Sequence, residues 1–69
     1  MFYFFEREHE FVRIEFDGSD QGGYHLTVTD PAGGERTETF ASADAAYARW
    51  LELQERYQRD GWWGPSGRD

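Results

Sequence analysis

The sequence has no cysteine and only two prolines among its 69 residues. Without cysteine, neither a disulfide framework nor a thiolate metal site can hold so small a chain together. A chain of this length buries only about 60% of the surface that it exposes when unfolded. We therefore expect a single domain, over residues 1–63, with no room for a deep catalytic cleft.

Basic charge is also scarce, because the chain has seven arginines and no lysine against 14 carboxylate side chains. Its net charge is −7 and its isoelectric point is near 4.6. Binding to nucleic acid depends on lysine and arginine side chains that displace counterions from the phosphates. This composition opposes such binding, and acidity alone points to no other class of partner.

Long apolar runs are missing from the chain. The aromatic residues 2–5 are followed at once by Glu6 and a run of charge. This start predicts neither a secretory signal nor a membrane-spanning helix. We therefore expect a cytoplasmic protein with no membrane partner.

Aromatic residues are what the chain has in excess: six phenylalanines, four tyrosines and three tryptophans. Each ring buries a large area, so a marginal core gains most from such residues. A core of this size rarely supplies more than about 3–5 kcal/mol of net stability. Formation of a homodimer is the other common way to stabilise so small a domain, and both routes are open here.

Four segments have the composition and the alternation of β-strands, namely residues 2–6, 11–16, 24–29 and 35–40. The run Arg7-Glu8-His9-Glu10 predicts a tight turn, and residues 17–23 predict a loop. Asp30-Pro31-Ala32-Gly33-Gly34 has the residues of a hairpin turn.

From Ala43 to Arg59 the apolar period becomes helical, with Ser42 at the N-cap position and Gly61 at the expected end. The predicted apolar stripe consists of Ala43, Ala46, Tyr47, Trp50, Leu53, Gln54 and Tyr57. We expect an α+β fold, a four-stranded antiparallel meander in sequential order with one C-terminal helix packed on one face (ββββα). Residues 64–69 are expected to form a flexible tail.

A single helix covers only one face of such a sheet, so the other face is the candidate interaction surface. That face is mostly polar, but the first strand sends aromatic rings to both sides, and the pattern does not decide which side meets the helix. The residues predicted to form the surface are Phe2, Phe4, Phe11, Arg13, His25, Trp62 and Trp63.

The pair Trp62-Trp63 follows directly after the predicted end of the helix. Folded back onto the domain, two buried tryptophans contribute roughly 3–6 kcal/mol. Left exposed, they mark a binding surface, because tryptophan is favoured at interface hot spots. Both alternatives are compatible with the sequence, and Gly61 favours the first by allowing the chain to turn back.

Catalytic, cofactor-binding and metal-binding residues are not predicted. His9 lies among Glu6, Glu8 and Glu10, but a tight turn directs its neighbours away from it. His25 is expected to pair with a carboxylate on a neighbouring strand, either Glu15 or Glu38. No serine is placed beside a histidine as a nucleophile requires, so we expect no enzyme.

The segment Thr37-Glu38-Thr39-Phe40-Ala41-Ser42-Ala43-Asp44-Ala45-Ala46 and the layout of residues 11–59 resemble the small bacterial WGR-type domain. The Trp-Gly-Arg triplet of that family falls near the third strand, where this chain has Thr27-Val28-Thr29-Asp30. The resemblance therefore implies a fold, and it assigns a nucleic-acid role to no particular residue. The chain also resembles short bacterial proteins of unassigned role with the same layout.

The expected function is that of a non-enzymatic protein-interaction module that self-associates through the aromatic side of its sheet. The alternative is a WGR-like, nucleic-acid-associated module without the signature.

Overall fold

The computed structural model describes residues 2–19 and 21–68, except for the side chains of Ser19 and Arg68. Its elements are β1 (Phe2–Arg7), β2 (Glu10–Ser19), β3 (Gly23–Thr29), β4 (Glu35–Phe40), α1 (Ala43–Arg59) and β5 (Trp63–Arg68). The strands form one sheet in the order β4-β3-β2-β1-β5, with antiparallel neighbours throughout. The predicted α+β class, with one helix and an antiparallel sheet, is confirmed.

The sheet has a fifth strand where the sequence predicted a tail. Residues 63–68 form β5 and pair with the outer edge of β1, while Asp69 lies outside the described residues. The pairing contains a bulge at Gly64, whose φ is 147°. A side chain at Gly64 would place its Cβ 2.7 Å from the carbonyl oxygen of Phe4. Only glycine fits there, so a residue that looked like a loop signal belongs to a strand.

β1 and β2 are joined by the two residues Glu8 and His9, which confirms the predicted tight turn. Their φ angles are +50° and +70°, and Arg7 pairs with Glu10 at the base of the turn. Positive φ at both central residues is the geometry of a type I′ turn, which matches the twist of a two-stranded hairpin. Neither residue prefers that conformation, so the turn is strained.

The core lies between α1 and one face of the sheet. Its buried residues are Phe5, Val12, Ile14, Leu26, Ala46, Trp50, Leu53 and Trp62. The side of β1 that meets the helix carries Tyr3 and Phe5, and the Tyr3 ring stacks on Trp50 with centroids 4.7 Å apart. The helix buries fewer residues than predicted, since Ala43 and Tyr47 are exposed. Both flank an open groove beside the first helical turn instead of covering the sheet.

The end of the helix reverses the chain through a Schellman motif at Gly61, whose φ is +89°. The amide of Trp62 donates to the carbonyl of Tyr57 at 2.9 Å, and that of Gly61 donates to the carbonyl of Gln58 at 3.2 Å. The Trp62 ring meets the Tyr57 ring edge to face, with centroids 5.9 Å apart. Burial raises the pKa of the Tyr57 hydroxyl.

Arg7 ties this reversal to the sheet. Its guanidinium lies over the Trp62 ring, 4.5 Å from the centroid, and its Nη1 donates to the Asp60 carbonyl at 2.9 Å. The cation thus lies at the negative end of the helix dipole, where it is stabilising. One side chain of β1 therefore fixes the direction in which the chain leaves the helix.

Replacing Trp62 tests how much the fold depends on this reversal. The Trp62→Ala variant is expected to lose about 3–5 kcal/mol of unfolding free energy, which removes most of the stability of a domain this small. The matched control is Trp63→Ala, which is expected to lose less than about 1 kcal/mol because its ring is exposed. Urea denaturation followed by circular dichroism measures both, and equal losses would contradict the assignment.

Because the turn between β1 and β2 is strained, replacing its two central residues is expected to stabilise the protein. The double change Glu8→Asn and His9→Gly supplies the residue pair that a type I′ turn prefers. It is expected to raise the unfolding free energy by about 1–2 kcal/mol, the cost of holding a residue with a side chain at positive φ. The control is Glu8→Gln, which removes the charge of Glu8 but leaves the strained backbone. The denaturation midpoint of this variant is expected to equal that of the native chain. No gain in the double variant would show that the turn is relaxed.

Candidate interaction surface

The sheet face opposite α1 has an aromatic corner made by three strands. Phe2 and Phe4 come from β1, Phe11 from β2 and Trp63 from β5, and we call these four residues the aromatic patch. Cross-strand pairing brings them together, because Glu6 of β1 lies opposite both Phe11 and Trp63. Phe4 lies one row further along the same face of β1.

Two residues of the aromatic patch, Phe11 and Trp63, are exposed, while Phe2 and Phe4 are half-buried. The Trp63 side chain is 70% exposed and that of Phe11 is 52% exposed. Together with Phe4, Glu6 and Ser66 they line a shallow groove of about 470 Å³. Soluble proteins seldom leave large aromatic side chains exposed next to each other without a use for them.

Arg13 adds a basic group to this corner. Its guanidinium lies 4.7 Å from the centroid of the Phe2 ring, which in turn meets the Phe4 ring edge to face with centroids 5.5 Å apart. Arg13 also forms an ion pair with Glu15 at 3.6 Å. The corner therefore presents aromatic faces and a guanidinium, which are enriched at protein interfaces, beside carboxylates, which are depleted there.

The rest of this face is polar. His25 Nδ1 and Thr39 Oγ1 lie 3.2 Å apart, and the hydroxyls of Thr27 and Thr37 lie 3.0 Å apart, each pair sharing a hydrogen bond. His25 was predicted on this face, and the structure places it there, but two strands away from β1. It does not belong to the aromatic patch.

The predicted partners of His25 are wrong. Glu15 holds Arg13, and Glu38 points to the helix side of the sheet, where it accepts from Arg49 Nε at 3.1 Å through both oxygens. Glu38 shares its face with Phe40, as the alternation predicted, so it cannot reach a residue on the opposite face. A threonine hydroxyl takes the place of the expected carboxylate.

The two tail tryptophans, predicted as one unit, separate. Trp62 is buried at 8% exposure on the helix side, so it is removed from the candidate surface. Trp63 begins β5 and lies on the open face. One tryptophan of the pair is thus buried and the other exposed, and whether Trp63 marks a binding surface stays a prediction.

A second groove, which the sequence did not indicate, lies on the helix side. It measures about 500 Å³ and is lined chiefly by the rings of Tyr3, Phe16, Tyr24, Tyr47 and Trp50. A Cβ at Gly18 would overlap the Tyr24 ring, so glycine is what lets that ring lie across β2.

Metal-binding and membrane-spanning features are not found in residues 2–19 and 21–68. Among these residues, no group of three or more histidine or acidic side chains is close enough together to hold a metal ion. The helix in this part of the chain is not long and apolar enough to cross a bilayer.

Comparison of the chain with protein-family models, with curated proteins and with solved structures found no match. The resemblance to the WGR-type domain therefore stays a prediction.

Proposed function

We propose that this protein is a non-enzymatic interaction module that self-associates through the aromatic patch. The observation that carries the proposal is the position of Trp63, whose indole is 70% exposed beside Phe11 on the face that the helix leaves uncovered. Tryptophan and arginine are the residues most enriched in interface hot spots, and the patch has Arg13 at its border. Burial against a second copy removes these rings from water.

The size of the surface sets the expected strength. Five strands about 4.8 Å apart, each rising about 3.3 Å per residue, give a sheet face of roughly 500 Å². A standard stable interface buries about 800 Å² on each partner. The face alone falls below that value, so we expect a weak, reversible dimer with a dissociation constant on the order of tens of micromolar.

Charge both opposes and favours self-association of this protein. Each copy carries a net charge of −7, so two copies repel each other at low ionic strength. Around a two-fold axis on this face, the Arg13 of one copy is placed to meet carboxylates such as Glu6 or Glu15 of the other. Salt screens the long-range repulsion more than it weakens contacts inside the interface. Self-association is therefore expected to strengthen with added salt.

A WGR-like, nucleic-acid-associated module is the second candidate. The observation that favours it is the guanidinium of Arg13 over the Phe2 ring on an open sheet, since single-stranded nucleic acids stack on such aromatic platforms. The acidic surroundings oppose it. Binding to single-stranded DNA weakens as salt is added, which is the opposite of the dependence expected for the dimer.

Sedimentation velocity tests the proposal. At tens of micromolar, on the order of the expected dissociation constant, the native chain is expected to show a species heavier than its 8.1 kDa monomer. Trp63→Ser is expected to weaken the dimer by at least about 30-fold, the effect of losing a hot-spot residue. The matched control is Leu51→Ser, which removes an exposed apolar side chain from the helix, away from the patch.

Two results would contradict the proposed function. One is a monomer at every concentration up to hundreds of micromolar, on the order of ten times the expected dissociation constant. The other is an equal effect of the Trp63 and Leu51 variants. The second candidate is tested by adding the protein to a labelled single-stranded oligonucleotide at low salt and measuring the fluorescence anisotropy. A rise in anisotropy that is the same for Trp63→Ser and disappears when salt is added would favour that candidate.

A further inference from the structure

The two edges of the sheet differ in how well they are protected. β5 carries Pro65 and the bulge at Gly64, and Gln58 Nε2 donates to the Gly64 carbonyl at 3.0 Å. Proline, bulges and covering side chains are the usual means of blocking an edge. Within residues 2–19 and 21–68, β4 has no proline and no bulge, and its register with β3 is unbroken from Tyr24 opposite Phe40 to Thr29 opposite Glu35. Its charged side chains, which in general discourage strand addition, are of both signs, so an identical strand can match them. The edge of β4 is thus available for a further strand.

The hairpin between β3 and β4 shows which backbone groups of β4 face outward. The Asp30 amide donates to the Gly34 carbonyl at 2.9 Å, so this pair is hydrogen-bonded. In an antiparallel ladder, bonded and non-bonded pairs alternate. The even-numbered residues of β4 therefore bond to β3. The N–H and C=O groups of Glu35, Thr37 and Thr39 point away from the sheet.

The charges on β4 are self-complementary. Arg36 and Glu38 are successive residues on the helix side of the strand. Glu38 accepts from Arg49 of its own chain, whereas Arg36 forms no ion pair with a residue in 2–19 or 21–68 and is available to join that cluster from a second copy. When two β4 strands pair antiparallel about Thr37, the Arg36 of each lies opposite the Glu38 of the other. Moving the axis to Arg36 or to Glu38 places like charges directly opposite each other, which is destabilising.

We propose that β4 pairs with β4 of a second copy about a two-fold axis at Thr37, which joins the two sheets into one. Each outward group of Glu35, Thr37 and Thr39 then finds a partner, giving about six hydrogen bonds between the copies. On the open face, the hydrogen-bonded hydroxyls of Thr27 and Thr37 then lie beside the same pair of hydroxyls in the second copy. This is strand addition with an identical chain.

This inference rests on the proposed self-association and adds a separate surface to it. The aromatic patch belongs to β1, β2 and β5, while the pairing edge belongs to β4 at the other side of the sheet. The two contacts do not overlap. Each is therefore removable without the other.

Single cysteine substitutions test the pairing and its register, because the chain has no cysteine of its own. In the proposed dimer the two Thr37 Cα atoms lie about 5.5 Å apart, within reach of a disulfide. Copies of Glu35 lie about 13 Å apart, as do copies of Thr39, which is too far. Under oxidised glutathione, Thr37→Cys is expected to form covalent dimers at least about tenfold faster than Glu35→Cys or Thr39→Cys.

A charge change provides the second variant. Arg36→Glu places like charges opposite each other and is expected to reduce cross-linking of Thr37→Cys by at least about tenfold. Arg59→Glu makes the same change in net charge at the C-terminal end of the helix, outside the groove that Arg36 and Glu38 line, and is expected to leave cross-linking within about twofold. Equal cross-linking at all three cysteine positions, or equal effects of the two charge variants, would overturn the pairing.

The background variant Trp63→Ser separates this inference from the proposed function. Thr37-selective cross-linking that persists in this background supports strand pairing. If cross-linking at position 37 is lost in the Trp63→Ser background, β4 does not pair independently of the aromatic patch, and the inference is overturned. A third result is that sedimentation detects dimers that are lost in Trp63→Ser, while Thr37→Cys gives no covalent dimers. That result would support self-association through the aromatic patch and overturn pairing of β4.

Discussion

The reversal of the chain at Gly61 is the constraint on which the rest of the structure depends. It places Trp62 against Tyr57 and under the guanidinium of Arg7, so the first strand and the end of the helix are held by one ring. The backbone then continues directly into β5. Because neighbouring residues of a strand point to opposite faces, a buried Trp62 leads to an outward Trp63. The core anchor and the exposed ring are therefore two results of a single turn.

β1 distributes its aromatic residues in the same way. Tyr3 and Phe5 face the helix and complete the core, while Phe2 and Phe4 face solvent. A domain with one helix has apolar cover for only one side of its sheet. On the other side, Phe2 and Phe4 are half-buried by their neighbours while Phe11 and Trp63 stay exposed, and this exposure is the observation behind the proposed self-association.

The sequence predicted the helix from Ala43 to Arg59 with its Ser42 cap, because these signals are local. Ser42 Oγ accepts from the Ala45 amide at 3.1 Å, as a capping serine does. β5 was missed because Gly64 and Pro65 are locally unfavourable in a strand, and only the free edge of β1, distant in sequence, makes them part of one. The different fates of Trp62 and Trp63 follow from that strand and were not predictable without it.

The pairing of β1 with β5 also affects how the molecule folds. It brings together residues as far apart as Phe2 and Arg68, so it requires a long loop to close before it contributes stability. Until then β1 has an unpaired edge and aromatic side chains on both faces, which is the kind of segment that aggregates from partly folded chains. Among the strands of residues 2–19 and 21–68, β1 is the richest in aromatic residues, and its second edge is paired only once β5 is in place. Folding of this chain is therefore most vulnerable in the interval before its fifth strand is added.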